Sequence, residues 1–169
     1  KETPIQNIGA TLLPIFQVAL PIAMLALLPA IGEGYNAWRV VAFFSIIWAN
    51  DVFAFLVGIT LGRHRLCERI SPKKSWEGFI GGIVAAMGVA LLAAHLLGEN
   101  MYVWAGLGLV SSLAAVAGDL IESMFKRAAG VKDSGAIMPG HGGWFDRFDA
   151  VLTAAPVAVI YLLILTETW

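Results

Sequence analysis

The chain has 169 residues, 59% of them hydrophobic, with a mean hydropathy of +0.78 and a formal net charge of −1. Soluble domains are roughly 45–50% apolar, so an ordinary water-soluble domain is excluded and a bilayer is the natural solvent. A net charge this close to zero supplies no field that would draw nucleic acid or another polyanion, and the single cysteine, Cys67, rules out an intrachain disulfide.

A membrane span needs about 20 predominantly apolar residues. Five stretches qualify: 12–31, 38–56, 79–97, 101–121 and 148–165. They predict an all-α, polytopic bundle of about five transmembrane helices forming one membrane domain over residues 1–169, without repeats or linkers. The chain opens on Lys1, not Met, with no recognisable cleavable signal, and reads as the C-terminal portion of a longer protein.

The first stretch carries Pro14, Pro21 and Pro29, so kinks are expected there. The second holds Asn50 and Asp51 near its end. A carboxylate within a span costs at least ~2.5 kcal/mol on insertion scales and is normally functional or paired. The next loop, 62–76, contains Arg63, Arg65, Arg69, Lys73 and Lys74. Ser71 and Pro72 there predict a helix start, with Ser71 as N-cap and Pro72 at the first helical position. Lys73 and Lys74 would then oppose the helix dipole, a conflict relieved by an anion bound between the helix terminus and the lysines. Gly78 and Gly82 in the third span, and Ala114 and Gly118 in the fourth, have the small-xxx-small spacing of closely packed membrane helices.

The charged residues then concentrate in 118–149. Asp119, Glu122, Ser123 and Lys126 stand at i, i+3, i+4 and i+7 and share one helical face. In a membrane such a stripe needs a cavity, a partner or an ion. Asp146, Asp149 and Thr153 line a matching face at the start of the last span. Carboxylates from two helices, Asp119 and Asp146, with Asp149, Asp133 and Asp51 as auxiliaries, suit Mg²⁺ completed by water and substrate phosphates. Lys126, Arg127, Lys132 and Arg147 would neutralise phosphate oxygens. Successive amides of Gly140, His141, Gly142 and Gly143 would form an anion-binding nest. Cys67 and the three histidines do not cluster, which speaks against zinc. Both basic loops fall on one side, with Arg39 alone on the other, so the positive-inside rule puts the N-terminus and both loops in the cytoplasm.

The run Ser123-x-x-Lys126-Arg127-x4-Lys132-Asp133-x-Gly135-x3-Pro139-Gly140-His141-Gly142-Gly143-x2-Asp146-Arg147-x-Asp149 resembles the signature of the phosphatidate cytidylyltransferases, the CDP-diacylglycerol synthases. The resemblance extends to Gly118-Asp119-Leu120-x-Glu122, to the stretch from Ser71 to Gly78, and to Asp51. It implies transfer of CMP from CTP to phosphatidic acid, with pyrophosphate released, and dependence on Mg²⁺ with a second cation as a further option. It also implies an active site on the cytoplasmic side of a bacterial inner membrane, and a homodimer. By resemblance Asp119 and Asp146 hold the metal. Lys126, Arg127, Lys132, Asp133, His141, Arg147 and Asp149 complete the catalytic set. Lys73, Lys74, Ser123, Gly140, Gly142, Gly143 and Asp51 bind substrate. Two other readings stand beside it: a transporter or channel whose intramembrane acids bind a translocated ion, and a CTP-dependent enzyme that activates another lipid.

Overall fold

The computed structural model describes residues 3–32, 34–67, 70–131, 143 and 145–166. Five helical segments among them are long and apolar enough to cross a membrane. The first span is broken as its prolines require. Helix α1 (Pro4–Pro14) passes into a π-helical turn (Ile15–Ala19), then α2 (Leu20–Leu25) and a 3₁₀ turn (Leu28–Ala30). Proline lacks the amide that an unbroken helix needs. The other spans are α3 (Trp38–Leu61), α4 (Trp76–Leu97), α5 (Met101–Ala128) and α6 (Phe145–Thr166).

Consecutive helices pack as neighbours, α3 on α4, α4 on α5 and α5 on α6, and α2 closes against α6. The contacts run along small residues. In α4 the buried positions are Gly78, Gly82, Ala86, Ala90 and Ala94, one every four residues. A Cβ placed on Gly82 would stand 2.8 Å from the backbone oxygen and the side-chain oxygen of Asn50 in α3. Gly118 of α5 lies equally close to α6, where a Cβ would approach the Asp149 carbonyl to 2.9 Å. The sequence expectation of close packing at Gly78, Gly82 and Gly118 is met, because no larger side chain fits between these backbones.

The loop between α3 and α4 differs from the sequence expectation. Ser71 and Pro72 do not begin a helix; they lie in strand β2 (Ser71–Ser75), which pairs antiparallel with β1 (Arg65–Cys67). Helix α4 begins four residues later, capped by Ser75, whose Oγ accepts from the Gly78 amide at 3.2 Å. The physical reason is the dipole conflict. Starting at Trp76 removes Lys73 and Lys74 from the positive helix end and puts Glu77 in the first turn instead. Proline also pushes the residue before it toward extended backbone. Glu77 then ties the hairpin down, accepting from the Arg63 amide at 3.1 Å and meeting His64 Nδ1 at 2.6 Å.

At the opposite end of the bundle, Arg39 is buried and joins three segments. Its Nε donates to Glu99 Oε1 at 2.7 Å, and Nη1 donates to the carbonyls of Pro29 and Gly34 at 3.1 and 2.8 Å. Replacing Gly82 by valine should lower unfolding stability in detergent by ~1–3 kcal/mol, the cost of overpacking. The same change at Gly88, where a Cβ meets nothing within 4 Å, should leave the unfolding midpoint within error of wild type.

Candidate active site

The polar stripe of α5 and the acidic face of α6 meet at the end of the bundle that also carries the hairpin. Asp119, Glu122 and Asp149 offer carboxylate oxygens that all lie within 4.8 Å of one another. Glu122 is 2% exposed, and its Oε1 has no hydrogen-bond partner among the described residues. Asp51 of α3 is within electrostatic reach of Asp119, Asp149 and Lys74, so three helices contribute acids. The close approach at Gly118 is what brings this about, since it seats the Asp149 turn of α6 directly on α5.

Two lysines answer the acids. Lys126 lies 2.8 Å from Asp146 Oδ1 and 3.2 Å from Glu122 Oε2, the latter an i,i+4 pair on α5. Lys74 of β2 forms an ion pair with Asp119. Side chains alternate across a strand, so the hairpin that turns Lys74 toward Asp119 leaves Lys73 exposed on its other face. Asp146 uses its second oxygen to accept from the Gly143 amide at 2.8 Å, which fastens the start of α6. Ser123 Oγ is 3.5 Å from Asp119 Oδ1, and Asn50 Nδ2 donates to Asp51 at 3.3 Å.

The structure therefore gathers Asp51, Lys74, Asp119, Ser123, Lys126, Gly143, Asp146 and Asp149 from the sequence-predicted set. Arg127 and Arg147 are exposed at the same end. Lys132, Asp133, Gly140, His141 and Gly142 lie outside the described residues. Glu122 is the member that the predicted site left out, although its place in the stripe, three residues after Asp119 and four before Lys126, marked it. The acid trio is Asp119, Glu122 and Asp149, with Asp146, three residues before Asp149, held by Lys126. Carboxylate oxygens alone, one of them buried without a partner, are a hard donor set that fits a divalent cation. A larger cavity of about 790 Å³ lies at the far end beside Arg39 and Glu99, away from these groups.

The fold and site define a class: a polytopic membrane protein with an acidic, lysine-flanked centre at one end of its helices. A profile of the cytidylyltransferase family matches residues 1–165, and the chain belongs to that family. It is 48% identical over 122 residues to a phosphatidate cytidylyltransferase of Staphylococcus aureus (strain COL), a match covering 71% of this chain and 47% of that protein. It is 43% identical over 144 residues to a phosphatidate cytidylyltransferase of Mycobacterium leprae (strain TN), covering 85% of this chain and 45% of the relative. The chain thus spans about half the length of these curated relatives. A solved intramembrane enzyme of archaeal membrane lipid biosynthesis shares the fold, with a TM-score of 0.54 at 19% identity, covering 79% of this chain and 88% of that one.

Saturating Mg²⁺ should raise the thermal unfolding midpoint in detergent by about 5 °C, by linkage of binding to stability, and EDTA should reverse the shift. Glu122→Gln and Asp149→Asn should each abolish the Mg²⁺ response. An undiminished response in both variants would remove these residues from the cation site.

Proposed function

We propose that this chain carries the catalytic centre of a phosphatidate cytidylyltransferase, which transfers CMP from CTP to phosphatidic acid and releases pyrophosphate. The observation that supports this most strongly is the meeting of Asp119, Glu122 and Asp149 with Lys74 and Lys126 at the ends of membrane-spanning helices. A water-soluble nucleotide and a bilayer lipid can both reach such a place. The relatives named phosphatidate cytidylyltransferase point to the same reaction.

In this reading a phosphate oxygen of the lipid attacks the α-phosphorus of CTP, a new phosphorus–oxygen bond forms, and the bond to the α–β bridging oxygen breaks as pyrophosphate leaves. The reaction depends on positioning and charge neutralisation and needs no covalent nucleophile. Asp119, Glu122 and Asp149 would hold Mg²⁺, with Asp146 joining them when Lys126 turns to a phosphate. Mg²⁺ when bound supplies neutralisation of phosphate charge. Lys126 and Lys74 are already poised at the acids and would pass to the phosphate oxygens as substrates enter. Arg127 and Arg147, with Lys132 and the glycine run 140–143, would hold the outer phosphates, His141 donating to one of them. Asp133 would complete the set, and Ser123 would donate a hydrogen bond.

The basic residues about this end support a cytoplasmic site by the positive-inside rule; in this reading the membrane is a bacterial inner membrane, and the family resemblance implies a homodimer. A path for an ion would need polar groups through the bilayer depth. Among the described residues no charged side chain lies between Arg39 and Asp51, between Glu77 and Glu99, between Glu99 and Asp119, or from Ala150 to Thr166, which does not favour the transporter reading.

In mixed micelles containing CTP, phosphatidic acid and Mg²⁺, Asp119→Asn and Asp146→Asn should each lower turnover by about two to three orders of magnitude, the scale of losing one preorganised charge-stabilising group. Lys74→Ala should lower kcat/KM far more than Lys73→Ala, whose effect should be a modest rise in KM. Near-normal turnover in the aspartate variants would overturn the assignment.

A further inference from the structure

Between α2, α3 and α6 lies a second cavity of about 210 Å³, walled by Pro21 and Ile22 of α2, Phe44 of α3, and Phe148, Leu152 and Ala155 of α6. All of its lining side chains are apolar, so it cannot hold a headgroup or a nucleotide. It is also smaller than the ~300–1,000 Å³ of pockets that enclose whole drug-sized ligands. A length of hydrocarbon is what such a space accepts.

Its depth relates it to the acids. Phe148 belongs to the same helical turn as Asp146 and Asp149, and Ala155 lies six residues beyond Asp149, about 9 Å further along α6 at 1.5 Å per residue. Phe44 precedes Asp51 by seven residues, two turns of α3, and so stands on nearly the same face about 10 Å deeper. Two helices thus give the same result: the cavity starts at the level of the acid centre and runs about two turns toward the middle of the bundle. Its α2 wall follows the π-helical turn, Ile15–Ala19, a distortion that occurs often at functional sites. Ile22 lines the cavity while remaining 45% exposed, so the cavity borders the apolar exterior and a chain can enter from the bilayer.

We propose that this cavity takes the headgroup-proximal part of one acyl chain of the phospholipid substrate, and that Ala155 at its deep end determines which chains fit. The inference rests on the cytidylyl-transfer reading for the identity of the lipid. A phosphate held at the lysines would leave its glyceryl chains at the mouth of this cavity, and burial of their methylenes would favour binding. Phe44 and Phe148 would set its width.

The test uses the full chain in lipid nanodiscs, with phosphatidic acid carrying a diazirine on one acyl chain and the labelled residues mapped by mass spectrometry. Labelling of Ile22, Phe44 or Leu152 that is displaced by unlabelled phosphatidic acid, and not by phosphatidylcholine, is expected. No label at these positions, or equal displacement by both lipids, would show an ordinary lipid groove and overturn the proposal. Kinetically, Ala155→Leu should raise KM for a long-chain phosphatidic acid about tenfold, equivalent to about 1.4 kcal/mol, and leave a six-carbon-chain analogue unchanged. A KM for the long-chain lipid that stays at the wild-type value would also overturn it. If the variant loses both activities together, the labelling of the wild-type chain decides alone. Absence of turnover by the wild-type chain on either lipid would tell against the cytidylyl-transfer reading instead, with the labelling still reporting on the cavity.

Discussion

Carboxylates placed within membrane-spanning helices must be compensated, and the structure is arranged around that requirement. A charge left in a poorly hydrated place without its partner is costly, the more so the deeper it is buried. Here Asp119 is met by Lys74 from the hairpin, while Glu122 and Asp146 share Lys126. Two of these three pairs, Lys74–Asp119 and Lys126–Asp146, reach across different elements, so the hairpin, α5 and α6 are fastened to one another by the same charges that make the site. Three acids, with one buried oxygen unpartnered among the described residues, still leave room for a cation. Lysines and acids that satisfy each other at rest are the groups that phosphate and metal would separate.

The packing follows from this constraint. Acids on neighbouring helices converge only if the backbones come close, and Gly118 allows that between α5 and α6. Gly78 and Gly82 do the same for α4 against α3, where Gly82 abuts Asn50, the neighbour of Asp51. At the other end, Arg39 ties the first span, α3 and the turn before α5 through Glu99 and two carbonyls. Among the described residues that end shows no acid cluster. Asymmetry of this kind suits a catalytic surface facing one side of the membrane.

Much of this was legible in the residues. Spans follow from hydropathy, kinks from Pro14 and Pro21, and the shared face of Asp119, Glu122, Ser123 and Lys126 from helical spacing. The hairpin was not legible, because Ser71-Pro72 is good helix-start chemistry in isolation. Only the competition between the lysines and the dipole, and the better cap at Ser75, moves the start of α4 to Trp76. The separation of Lys74 from Lys73 follows from that strand and could not be read from two adjacent lysines. Which acids meet was likewise hidden. Periodicity put Asp146 and Asp149 on one face, but the rotation of α6 against α5, set at Gly118, decides that Asp149 joins Asp119 and Glu122 while Asp146 takes Lys126.

The most direct measurement of the central claim is the fate of label from CTP. With phosphatidic acid and Mg²⁺, the account predicts that α-phosphate label enters the lipid product and γ-phosphate label leaves entirely as pyrophosphate. Label from the γ-phosphate in the lipid, with none from the α-phosphate, would identify phosphoryl transfer to the lipid and contradict it.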